Sequence, residues 1–66
     1  VIPERYLTPM PGGEDEVEVD HWFKARGERH AVVYRLHHGE PIFYVREERH
    51  LKPLPPGWVS EWPDDP

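Results

Sequence analysis

Residues 17–47 read VEVDHWFKARGERHAVVYRLHHGEPIFYVRE, the one stretch of the chain in which apolar and polar residues alternate over a long distance. A period of two is the signature of strands that bury one face and leave the other open. Gly27 and Gly39 break the pattern into three runs, about 17–25, 30–37 and 41–47. The stretch therefore predicts an all-β fold built on a three-stranded antiparallel meander.

Turn chemistry sets the expected register. Gly27 suits the first central position of a type II′ turn at Gly27-Glu28, since glycine alone takes that positive φ without strain. Such a turn sets Phe23 against Val32, His21 against Tyr34 and Val19 against Leu36 on one face. On the other face it sets Asp20 against Arg35, Glu18 against His37 and Trp22 against Val33. A second turn at His38-Gly39 sets Tyr34 against Phe43, Val32 against Val45 and Val33 against Tyr44. Pro41, with no N–H to give a ladder, assigns the third run to a sheet edge.

The two hairpins share a strand, so their faces can be summed. The first face, with Val17, Val19, His21, Phe23, Val32, Tyr34, Leu36, Phe43 and Val45, is the expected core. The second mixes Trp22, Val33, Ile42 and Tyr44 with Asp20, Lys24, Arg35 and Arg46. Aromatic and arginine side chains are the usual anchors of protein interfaces. Trp22, Arg35, Tyr44, Arg46 and Lys24 are accordingly the expected partner-binding residues.

The flanks are read by proline and charge. Residues 1–16 form a proline- and acid-rich arm, in which 5–8 could be a short edge strand and Pro9, Pro11, Gly12 and Gly13 a flexible joint. The acidic run that follows reads as a solvated loop entering the first strand, without the spacing of a calcium-binding loop. Residues 48–66 form a proline- and tryptophan-rich wrap. Pro53, Pro55 and Pro56 favour polyproline II geometry, and Trp58 is expected to fold back as a hydrophobic lid. The competing reading of LKPLPP is a proline-rich ligand for SH3 or WW domains.

The phrases LPPGW and EWPDDP resemble the opening and closing of a WW domain, but the strands that would lie between them are absent. In layout the whole chain is similar to an SH3-like barrel: a short first strand, an acidic loop, three meander strands, and a turn such as PPGWV before the end. This resemblance implies that short terminal strands complete the meander into a small barrel. The aromatic peptide groove of SH3 domains is not recognisable, so no binding residue follows from it.

Sixty-six residues allow a single small domain with one core. With no cysteine, neither a disulfide nor a thiolate metal site can staple it. Nine prolines limit the freedom of the unfolded chain instead. A net charge of −5 disfavours broad phosphate-driven binding of nucleic acid. No run approaches the length of a membrane span, and a cytoplasmic location is the default expectation. The chain opens on Val1 rather than methionine, which reads as processed, trimmed or cut from a longer protein.

Catalytic chemistry has little to work with. Thr8 and Ser60 are the hydroxyl nucleophiles besides the tyrosines, and neither lies in an elbow or triad context. No glycine-rich phosphate loop occurs, and no enzyme is expected. Five histidines raise the question of metal. His37 and His38 are adjacent and point to opposite faces, whereas His30 would stand opposite Glu47 with Glu28 and Glu48 close by. A two-ligand surface site is conceivable there. The prevailing expectation is structural or solvent-exposed histidines, with neither metal nor cofactor.

Two functional readings follow. The first is a non-enzymatic protein-interaction module, an accessory subunit or regulator that docks on a larger protein through the mixed aromatic and arginine face or a strand edge. The second is a single-stranded nucleic-acid binder that stacks bases on Trp22 and Tyr44 and meets phosphates with Arg35, Arg46 and Lys24.

Overall fold

A computed structural model describes residues 3–60. Five antiparallel strands form one open sheet: β1 (Arg5–Met10), β2 (Gly13–Ala25), β3 (Glu28–His37), β4 (Glu40–Glu47) and β5 (Lys52–Pro53). A single 3₁₀ turn at Glu48–His50 carries the chain from β4 to β5. The strand order is β4-β3-β2-β1-β5, so the last strand returns to the outer side of the first. All three meander strands are present. β1 and the first residues of β2 occupy the arm, and Pro41 lies on the edge strand β4 as its chemistry requires.

Three two-residue turns make the meander. Proline presets φ for the first central residue of the turn at Pro11-Gly12, and Gly12 then takes φ +89°. The other two turns are Arg26-Gly27, with φ +54° and +76°, and His38-Gly39, with φ +52° and +79°. Positive φ at both central residues defines type I′, whose twist matches that of the strands it joins.

The second hairpin has the expected register, with His30 opposite Glu47, Val32 opposite Val45, Val33 opposite Tyr44 and Tyr34 opposite Phe43. The first does not. Its turn sits one residue earlier than Gly27-Glu28, which slides the strands by two positions and pairs Phe23 with His30 and Trp22 with Ala31. The large indole thereby faces the smallest side chain of β3. A bulge then interrupts β2 between Val19 and His21, leaving Asp20 as the extra residue. Beyond it, Val19 meets Val33 and Glu18 meets Tyr34, not Leu36 and His37.

The bulge decides the core. Because it inserts one residue into a period of two, Val17 and Val19 move to the same side as Trp22. The buried cluster is Val17, Ala31, Val33 and Leu51, with Tyr6, Met10, Val19, Trp22 and Tyr44 packed around it. Val17, Ala31 and Val33 are completely buried, whereas Phe43 and Val45 keep 54% and 55% of their surface exposed. Val17 and Val19 are thus in the core as expected, but on β3 and β4 the core lies on the face expected to be open and the face expected to be buried is the outer one. The sheet curls over the inner side. Arg46 Nη2 of β4 comes within 3.2 Å of Met10 Sδ of β1, although a flat sheet would hold these strands roughly 14 Å apart.

Candidate functional site

The outer face of β3 and β4 is built by simple alternation. On β3, His30, Val32, Tyr34 and Leu36 point outward; on β4, their cross-strand partners are Glu47, Val45, Phe43 and Pro41. His21 and Phe23 of β2 lie on the same side, opposite Val32 and His30. Tyr34 and Phe43 meet with ring centroids 5.5 Å apart, and Phe23 stacks on His30 at 5.4 Å. Phe43 and Val45, two residues apart on this face, are exposed on a strand paired on one side only. Contiguous apolar surface of this kind marks contact sites more often than scattered apolar residues do.

Acidic groups frame the apolar band. Glu18 accepts hydrogen bonds from Tyr34 Oη and from Arg5 Nε, the latter at 3.2 Å. The Glu18 bond, and then burial, raise the Tyr34 hydroxyl above its usual 10.0. On the β1–β2 side, the chain after β5 reaches the sheet at Glu16, which accepts from Trp58 Nε1 at 2.9 Å and from Ser60 Oγ at 2.7 Å. Trp58 itself stays 42% exposed, so it does not form the buried lid expected of it. Residues 61–66 of the wrap lie outside the described residues.

The expected partner-binding residues all lie on the inner side of the sheet, with Lys24 exposed near its end. Arg35 donates to Asp15 Oδ2 at 2.6 Å from a half-buried position. Arg46 donates to the Val45 carbonyl at 2.9 Å and leans over the Tyr44 ring. Trp22 meets Tyr6 edge to face, donates to Glu4 Oε1 at 3.2 Å, and carries the Arg29 guanidinium 4.0 Å above its ring. The inner rim is therefore a set of paired aromatic and charged groups, in which Arg35 Nε is buried without a hydrogen-bond partner of its own. Burial, and then the Glu4 carboxylate, raise the Tyr6 hydroxyl above its usual value.

At one end of the outer face, Glu28, His30 and Glu47 place one ligand atom each within 4.8 Å of one another. Cross-strand pairing of His30 with Glu47 was legible in the sequence. The nearness of Glu28, two residues before His30 on the same strand, was legible as well. Glu47 also accepts from Arg49 Nε at 2.9 Å, and that guanidinium holds the Glu47 carboxyl below its usual value. No family model matches this chain, and neither do any curated protein or solved structure.

Proposed function

We propose that the chain is a small non-enzymatic protein-interaction module, docking on a larger protein through the outer face of β3 and β4. The observation that carries this reading is the exposure of Phe43 and Val45 on an edge strand, backed across the ladder by Tyr34 and Val32. The strand order supports the SH3-like layout as well, since β5 returns to β1 after a 3₁₀ turn.

The partner is an apolar segment flanked by basic residues. Its apolar side chains cover Phe43, Val45 and Leu36, and its lysines or arginines meet the Glu18 side of the same face of a chain of net charge −5. Pro41 removes one N–H from the β4 edge, so side-chain contact with the face carries more of the recognition than strand addition.

Selection of a random peptide library on the immobilised protein tests this. The expected binders alternate apolar residues with Lys or Arg. Phe43→Ser and Val45→Ser should each weaken them at least about tenfold, or 1.4 kcal/mol, with unchanged melting. Binding that survives both changes but fails in Trp22→Ala and Arg46→Glu would place the partner at the inner rim instead. Salt-sensitive binding of random single-stranded oligonucleotides, with no peptide selected, would favour the nucleic-acid reading.

A further inference from the structure

We propose that Glu28, His30 and Glu47 bind one divalent transition-metal ion of the zinc class, with His50 in reach as a fourth ligand. The site is assembled by the ladder. His30 and Glu47 are direct cross-strand partners on β3 and β4, and Glu28 lies two residues before His30 at the start of β3. Residues two apart on a strand point to the same side, so all three side chains leave the sheet together.

The histidine is already oriented for the task. Its Nδ1 lies 3.1 Å from the Glu28 carbonyl oxygen, and that acceptor requires a proton on Nδ1. Nε2 then carries the lone pair. This is the arrangement by which a backbone carbonyl fixes the tautomer of a metal-binding imidazole. A second imidazole is close. His50 Nδ1 stands 3.5 Å from Glu47 Oε2, and His30, Glu47 and His50 line one surface cleft with Pro9, Val45 and Arg46.

The donor set selects the metal. Calcium takes six to eight oxygen ligands and magnesium keeps most of its waters, whereas mixed imidazole and carboxylate donors suit zinc, cobalt and nickel. Around a tetrahedral ion with bonds of about 2.0–2.1 Å, neighbouring ligand atoms stand roughly 3.4 Å apart. Three donors already within 4.8 Å of one another need only a small side-chain adjustment to reach that spacing, and Glu28 is exposed. An ion would also relieve the repulsion between two carboxylates held this close.

One group competes with the ion. Arg49 donates to Glu47 Oε2 through both Nε and Nη2, each at 2.9 Å. Its side chain is 74% exposed, so it can swing into solvent when an ion arrives. Removing this guanidinium should therefore strengthen metal binding, an effect that a merely structural cluster would not produce.

The test is calorimetric titration of the full chain with zinc chloride after dialysis against chelator. One zinc per chain is expected, displaced by nickel and not by equal calcium. His30→Gln and Glu47→Gln should each weaken it at least about tenfold, His38→Gln should leave it unchanged, and Arg49→Ala should tighten it. Glu28→Gln, at an exposed position, serves in place of either ligand variant that fails to fold. Absence of a saturable zinc site, or a site indifferent to His30, Glu47 and Glu28, overturns the proposal. So does loss of binding on changing His38, which would assign the ion to the His37–His38 pair, whose rings lie 4.3 Å apart.

Discussion

On the inner face of β3, Ala31 and Val33 have lost all contact with solvent, while across the ladder Phe43 and Val45 on the outer face of β4 remain more than half exposed. Val33 and Val45 are identical side chains with opposite fates, and Phe43, the largest of the four, is exposed. Curvature explains the inversion. The concave side of a curled sheet has little volume, and Leu51 together with Tyr6, Met10 and Trp22 fills most of it. On β3 the small side chains of Ala31 and Val33 fit beneath them, and the Phe43 ring is left on the convex side. Hydrophobicity alone did not decide burial; the side toward which the sheet closes did.

The largest effect expected from this contrast is at Val33. Val33→Asp places an unpaired charge in a fully buried position, and its desolvation should unfold a domain this small. Circular dichroism should show loss of the cooperative melt. The same charge at the outer position Val45 should leave a folded protein, and equal damage from both would break the distinction between the faces.

Trp22→Ala comes next. The indole is half-buried against Tyr6 and bonded to Glu4, so its removal should cost about 2 kcal/mol in chemical denaturation. A smaller gain is expected at Thr8, whose buried hydroxyl has no hydrogen-bond partner. Thr8→Val keeps the shape and removes the unsatisfied group, which should stabilise by about 1 kcal/mol and raise the melting temperature by roughly 4–8 °C. A fall in melting temperature would show that the hydroxyl is satisfied in solution.

Phe43→Ser should change stability by no more than about 0.5 kcal/mol, because the ring is over half exposed. This is the sharpest contrast with Val33, since the outer residue should matter to binding and hardly to folding. The smallest effect is alkaline. Tyr34 and Tyr6 hold their protons more tightly in the fold than at the usual value of 10.0. Above about pH 10 the unfolded chain therefore releases protons that the fold retains, and stability falls as pH rises. Tyr34→Phe should flatten that decline in melts between pH 9 and 11. An equally steep decline in the variant would separate Tyr34 from it.

Within the two hairpins the sequence was unequally legible. His38-Gly39 was read correctly because the flanking apolar residues pair in one unbroken register on β3 and β4. Around Gly27 two turns were available, one with glycine first and one with glycine second. Local chemistry favoured the first, because Arg26 in the second takes a positive φ. The second has the compensation of setting Trp22 beside Ala31 and, through the Asp20 bulge, of bringing Val17 and Val19 into the core. For the candidate sites, alternation already put Phe43, Val45 and Tyr34 together, and it put His30 opposite Glu47. It did not show that this side would stay open.

By itself, then, the sequence determined the three meander strands, the His38-Gly39 turn, the edge position of Pro41 and the whole β3–β4 register. Those features rest on interactions between near neighbours in the chain: alternation, turn φ angles and a missing N–H. Only the tertiary structure decided which face is buried, where β2 breaks its period, and that the β5 strand closes beside β1. Each of these depends on how distant segments share a small concave volume, and that sharing leaves no trace in any local pattern of residues.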